Sequence, residues 1–463
     1  MDAVLDVLLD IFTQPSIIVA LIALVGLAVQ NKSFSDVLKG TIRTMVGFLV
    51  LSAGAGVVVG SLDPFGEMFQ HAFNVQGVVP NNEAIVAQVL MDYGSAAALI
   101  FFFGMIVNIL LAATTRFKYV YLSGHVSFYI AAMFAVILGV AGFSQWQVIL
   151  WGSIAQGIYM VVSPALVQPF MRRVTGGDTV ALGHTGGAGI AFGGLIAWLT
   201  RGKGSSKSTE EMNFPKGLSF LRDTTVIVAL SMAVIYIIVG LFAGPTYIEG
   251  ELSGGTNFIV FLIMQAATFS GGVFIILAGV RVILAEIVPA FKGVSERLVK
   301  NSKPALDVPI IFTFAPNAVL IGFLVSFAGG IVGMLGMVAL GTTIVIPGVV
   351  AHFMTGAAAG VIGNAAGGRR GAVIASFVNG LAITILPLLL LPVLGDIGLS
   401  NATFSDADYG VFGLILGGLS EAGGQIAIIV GIVVSVVALY VITFATRGRK
   451  AKKAADAEKE SVA

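Results

Sequence analysis

Long apolar stretches alternate with short polar breaks along this chain, and eleven of them are long enough to cross the ~30 Å hydrocarbon core of a bilayer, about 17–25 residues each. They fall near 14–30, 44–61, 94–115, 124–142, 146–168, 223–243, 257–279, 309–329, 331–350, 371–394 and 425–446. The pattern predicts an all-α polytopic membrane protein of about eleven transmembrane helices. Three further apolar stretches, 179–199, 352–367 and 408–424, are too short or too rich in glycine to count as spans. Non-helical backbone survives at membrane depth only where protein or a water-filled cavity satisfies its polar groups, so these three read as re-entrant or broken segments marking a pathway. The first and third stand in register, each after five spans and on opposite faces. That is an inverted repeat, with halves of about 1–199 and 223–424 and a final span at 425–446, an arrangement in which carriers hold a site between the halves.

Composition and charge sharpen this picture. The 463 residues are 57% hydrophobic and 11% charged, with mean hydropathy +0.99, and a soluble core cannot absorb so much apolar surface. With the N-terminus outside, all 25 Lys and Arg fall on the inner side, as the positive-inside rule prefers. The outer loops then carry only acids: Asp63, Glu67, Glu83, Asp92, Glu249, Glu251, Asp396, Asp406 and Asp408. The expected setting is a bacterial cytoplasmic membrane, with the C-terminus in the cytoplasm. The opening MDAVLDVLLD lacks a basic n-region, so the first apolar run is expected to be a mature span rather than a cleaved signal. Residues 200–222 read as a solvated cytoplasmic linker, 281–303 as an amphipathic helix along the inner interface, and 447–463 as a disordered basic tail that anchors topology. A net charge of +1 points to no nucleic acid. No Cys, Walker A pattern, catalytic triad or zinc spacing occurs, so no metal, cofactor or catalytic site is expected on this chain alone.

Polar groups are costly inside a membrane and are functional candidates by default. His125 opens the fourth span and His184 sits in the LGHTGG break; each imidazole can donate and accept hydrogen bonds, which suits a polyhydroxylated or anionic ligand, or can pack against a backbone carbonyl. Asp307 stands at the inner lip of the eighth span, and Thr313, Pro316 and Asn317 share a face that could line a cavity; an N-cap aspartate with a proline kink is the structural alternative. Glu421, among glycines, would bind solute, carry a proton or sit at the outer surface. Ser52 and Gly54, in SAGAG, could offer hydroxyl and backbone groups to a sugar-like ligand, although small-residue runs more often serve helix packing.

Several stretches carry a resemblance: KGTIRTMVGFLVLSAGAG (39–56), YLSGHVSFYIA (121–131), ALGHTGG (181–187), GVRVILAEIVPAFKGVSERL (279–298), FTFAPNAV (312–319) and VIPGVVAHFMTGAAAGVIGNAAGG (345–368). In order along nearly the whole chain, they resemble the ascorbate-specific IIC permease component of the bacterial phosphotransferase system. The resemblance implies a homodimer with scaffold and mobile core parts, moving L-ascorbate or a related sugar acid by an elevator motion. It implies cytoplasmic IIB and IIA partners, with IIB phosphorylating the sugar; a proton-coupled carrier of a small organic anion is the alternative. It also places His125, His184, Ser52, Asp307 and the FAPN turn near the sugar. Where the enteric-type pattern has glutamines after the second histidine, this chain has Thr185, Gly186 and Gly187, and side-chain amide donors are lost.

Overall fold

A computed structural model describes residues 15–30, 32–74, 77–202, 207–212, 224–399 and 402–462. Most of the expected linker and the first fourteen residues lie outside the described residues. Helices α1 (Pro15–Val29) and α2 (Phe34–Phe73) lead to strand β1 (Gly77–Pro80) and α3 (Asn82–Thr114). There follow β2 (Tyr119–Tyr121), α4 (Gly124–Val140), α5 (Gln145–Thr175), β3 (Ala181–Leu182) and α6 (Gly187–Leu199). The second part has α7 (Thr224–Ala243), α8 (Phe258–Leu298), β4 (Lys303–Leu306), α9 (Pro316–Leu340), β5 (Ile344–Val345), α10 (Ala357–Leu390), β6 (Ala402–Thr403) and α11 (Ala407–Val462). Seven helices, or eight if the 97° bent pair Val228–Ala243 and Pro245–Leu252 is one span, are long and apolar enough to cross a membrane among the described residues. The protein is an all-α polytopic membrane protein.

Several boundaries differ from the hydropathy reading. The middle of the two stretches 309–329 and 331–350 is one helix, α9, entered through Pro316 at its first turn and closed by Gly341 in the left-handed region. Small apolar residues fill that whole region, so hydropathy alone cannot locate the break. Residues 352–367, expected as a re-entrant or broken segment, form a helical arm: a π-turn, His352–Gly356, runs into α10, which doubles back at Gly367–Gly368. Gly368, at φ 63, makes that reversal without a Cβ penalty. The two arms touch backbone to backbone, since a Cβ on Gly363 would overlap the Gly371 carbonyl and one on Gly371 the Gly363 carbonyl. The 408–424 stretch is likewise a helical arm of α11, turning at Gly423–Gly424. No separate interfacial helix follows residue 281, because α8 continues unbroken to Leu298. Beyond Arg447, α11 continues to Val462, in keeping with the helix propensity of an Ala-, Lys- and Glu-rich sequence.

Glycines elsewhere let helices meet. A Cβ on Gly54 would sit 2.7 Å from Ile276 N, and one on Gly279 2.5 Å from Leu51 N, so α2 and α8 pack along a small-residue seam. Gly380 on α10 lies against the Ser326 carbonyl of α9, where a Cβ would overlap it. Gly380→Ala is expected to destabilise the chain by about 1–3 kcal/mol through overpacking, read as a lower melting temperature in detergent.

The strands form two small parallel sheets with exchanged centres. One has the order β5–β1–β6 and the other β2–β4–β3. Gly77 and Val78 pair with Ile344 and Val345, and Val79 and Pro80 with Ala402 and Thr403. Tyr119–Tyr121 pair with Lys303–Ala305, and Ala181–Leu182 with Ala305–Leu306. Each central strand comes from the opposite part of the chain to its two neighbours. Extended backbone buried away from water needs partners, and the pairing supplies them. Outside the spans, Asp178 ties β4 to α5: its carboxylate accepts from Arg172 Nε at 2.8 Å, Gln168 Nε2 at 2.8 Å and Lys303 Nζ at 2.6 Å. The Arg172 hydrogen bond, ahead of those from Lys303 and Gln168, holds the Asp178 carboxyl well below the usual range.

Candidate solute-binding site

The exchange of strands has a chemical result, because the chain leaves every one of the six strands toward the same space. Asn82 and Glu83 follow β1, His125 follows β2, His184 follows β3, Asp307 follows β4, Val350 follows β5 and Asp406 follows β6, and all of them line one cavity. Its free volume in this conformation is about 50 Å³, smaller than the ~300–1,000 Å³ of small-molecule sites. Tyr129, Val273 and Met354 complete an apolar side. A mostly apolar wall with a few converging polar groups is the form such sites take.

Local structure sets each polar group. Asn81 caps α3 by accepting from Ala84 N at 2.8 Å, which puts Asn82 and Glu83 in the first helical turn at the cavity. Ser123 is the N-cap of α4, and His125 sits in its first turn. His184 lies in the bend between β3 and α6, where the Gly186 N–H donates to its Nδ1 at 3.0 Å. With Nδ1 accepting, the neutral imidazole carries its proton on Nε2. That nitrogen is 3.8 Å from Asp307 Oδ1, while His125 Nε2 is 3.4 Å from Asp307 Oδ2. Asp307 is thus faced by both imidazoles and also accepts from Val308 N at 2.7 Å. His184 Nδ1 also comes within 4.0 Å of Asp406 Oδ2, but its lone pair is already committed to Gly186, so this is proximity and not a hydrogen bond.

On the opposite wall, Asp406 accepts from Thr185 Oγ1 at 2.5 Å and from Asn82 Nδ2 at 3.1 Å, and Asn82 Oδ1 accepts from Ser405 N at 2.9 Å. Behind it, Asp408 is fully buried and accepts from Tyr159 OH at 3.1 Å, Ser163 Oγ at 2.8 Å and Ala188 N at 2.6 Å. Its own N–H donates to the Thr185 carbonyl at 2.8 Å. The breaks that start α6 and α11 are therefore laced together by Thr185, Asp406 and Asp408.

Of the residues singled out from sequence, His125, His184 and Asp307 meet at the cavity, and Thr185 supports it from one bond away through Asp406. Others lie elsewhere. Ser52 is exposed on α2, and Gly54 is spent on the seam with α8. Thr313 and Pro316 are exposed, and Asn317 faces a strap, residues 207–212, rather than a cavity. Its side-chain amide donates to the carbonyls of Thr209 at 3.1 Å and Met212 at 2.8 Å, and its N–H to Glu210 Oε1 at 3.1 Å. An N-terminal helical turn attracts such a carboxylate. Glu421 is exposed beside the Gly423–Gly424 turn, whose Gln425 donates to the Gly142 carbonyl at 2.6 Å. A third imidazole, His352, is buried with Nδ1 2.8 Å from Ser326 Oγ and lines no part of the cavity.

The larger correction concerns acids. Glu83, Asp406 and Asp408 are expected in outer loops by charge partition, yet all three are buried, and Glu83 and Asp406 line the cavity. The polar runs PNNE and SDAD each follow a short extended segment, and that position was the available signal. Among the described residues no cluster of His, Cys, Asp and Glu is arranged to hold a metal ion.

Comparison with known proteins agrees with this architecture. An ascorbate-specific PTS system EIIC component of Mycoplasma pneumoniae is 26% identical over 432 residues, covering 81% of this chain and 65% of that protein. The chain thus spans 65% of the length of this relative. Residues 10–408 match the EIIC-GAT family, described as the PTS system sugar-specific permease component. A match over most of the chain shows that this chain belongs to that family of sugar-specific permease components.

Proposed function

We propose that the chain binds L-ascorbate, or a related sugar acid, between His125, His184, Asp307, Glu83 and Asp406, and carries it across the cytoplasmic membrane to a phosphorylated IIB partner. The observation that carries the reading is the cavity at the ends of six strands, where Asn82, Glu83, His125, His184, Asp307 and Asp406 bring together the donors and acceptors a polyhydroxylated ligand needs. The resemblance to ascorbate permeases and the name of the Mycoplasma relative support the choice of solute. IIA, upstream of IIB, supplies the phosphoryl group. As that resemblance implies, the chain works as a homodimer, with its N-terminus outside and its C-terminus in the cytoplasm by the charge partition.

Proteoliposomes with labelled L-ascorbate test this. Phosphorylated ascorbate is expected only when phosphorylated IIB is on the receiving side. Accumulation of unmodified ascorbate against its gradient, without IIB, overturns the phosphotransferase reading in favour of a secondary carrier.

A further inference from the structure

The charge around the cavity does not suit an anion as it stands. Its wall carries the carboxyl groups of Glu83, Asp307 and Asp406 and no Lys or Arg. Among the described residues, the ion pairs of Asp307 and Asp406 are with His125 and His184 alone, and no Lys or Arg pairs with Glu83. His184 cannot add a positive charge without losing the Gly186 N–H bond to Nδ1, because a protonated Nδ1 would face a donor with a donor. One imidazole, His125, is left to balance three carboxylates. Arg281 of α8 acts on His125 from outside the lining. Asp408 adds a further buried acid behind Asp406, bonded to Tyr159 and Ser163. Tyr129, whose buried hydroxyl has no hydrogen-bond partner among the described residues, faces the same space and can donate to a ligand without supplying charge.

Asp307 has two imidazoles, and Asp406 has Thr185 and Asn82 as donors. Glu83, at the start of α3, has no cation. An anion placed among these groups in a low-dielectric site is repelled unless one carboxylate is neutralised. We propose that the solute anion enters this cavity together with a proton taken from bulk water onto the carboxylate of Glu83. The protein thus binds a sugar acid and a proton as a unit and sheds both where the cavity opens. This rests on the sugar-acid reading above and concerns the electrical state of the loaded site, whichever partner later consumes the sugar.

The test is calorimetric titration of the purified full chain with L-ascorbate at pH 7 in two buffers of different ionisation enthalpy. The expected slope corresponds to uptake of about one proton per ascorbate bound, and by linkage affinity falls about tenfold for each pH unit above neutrality. A proton number of zero with clear ascorbate binding overturns the proposal and leaves the solute reading intact. Absence of binding in the wild-type chain removes both. In Glu83→Gln, checked for folding by size exclusion, the proton number is expected to fall to near zero; retention of the wild-type number overturns the assignment to Glu83.

Discussion

His184→Ala is expected to lower the affinity for L-ascorbate by more than about 100-fold while the protein still folds. The substitution removes two interactions at once. The Nε2–H, held beside Asp307, is the donor proposed to meet the solute, and the Nδ1 acceptor is the partner of the Gly186 N–H. A buried donor left without a partner costs about 1–3 kcal/mol. Loss of a charge-assisted hydrogen bond to an acidic sugar adds about 1.5–3 kcal/mol. A factor of 100 is about 2.8 kcal/mol, which lies within the roughly 2.5–6 kcal/mol that the two losses sum to. Folding survives because the helices around the break are held by other contacts, among them the Asp408 bonds to Ser163 and Ala188. Calorimetry reads the affinity and a detergent melting curve reads the fold. Unchanged affinity would remove His184 from the site.

Asp408→Ala is expected to cost about 3 kcal/mol or more of stability, the largest effect on folding at any single position near the site. The carboxylate accepts from Tyr159, Ser163 and the Ala188 backbone, and it is fully buried. Alanine leaves those three donors with no acceptor, at about 1–3 kcal/mol each before relaxation. Asp408→Asn keeps one carbonyl oxygen but turns the other into a donor facing donors, so it should fall between alanine and wild type. Because Asp408 N also bonds the Thr185 carbonyl, the loss loosens the crossing of the two breaks and weakens solute binding indirectly. A melting temperature within a degree of wild type for Asp408→Ala would show that these bonds do not hold the crossing.

Much of this protein is legible in its amino-acid sequence. The bilayer leaves the backbone few options, so apolar length alone identifies a helical membrane protein. His184 stands out because LGHTGG cannot continue a helix cheaply, and the broken backbone there points to a cavity. Asp307 is readable for a similar reason, lying before two prolines that end and restart helices. Family motifs add the sugar-permease class.

The other half of the site is not legible. Charge partition sorts acids by which side of a span they flank, and it assigns Glu83, Asp406 and Asp408 to water because each lies beside a long apolar run. It cannot register that the chain stops and turns inside the protein, where these acids are buried. Asn82 meets Asp406 across 324 residues, Thr185 meets Asp406 across 221, and Asp408 meets Ala188 across 220. Those meetings depend on β1 pairing with β5 and β6, and β4 with β2 and β3, in strands of two to four residues that carry too little periodicity to announce themselves. Ser52, Pro316 and Asn317 show the converse, since polar or helix-breaking residues at plausible depths are turned by packing toward the surface or a strap. By itself the sequence determined the solvent, the helical class, the broken segments and the histidines, because those follow from local hydropathy and backbone cost. Only the tertiary structure decided which acids line the cavity, because that is set by strand pairing between parts of the chain more than a hundred residues apart.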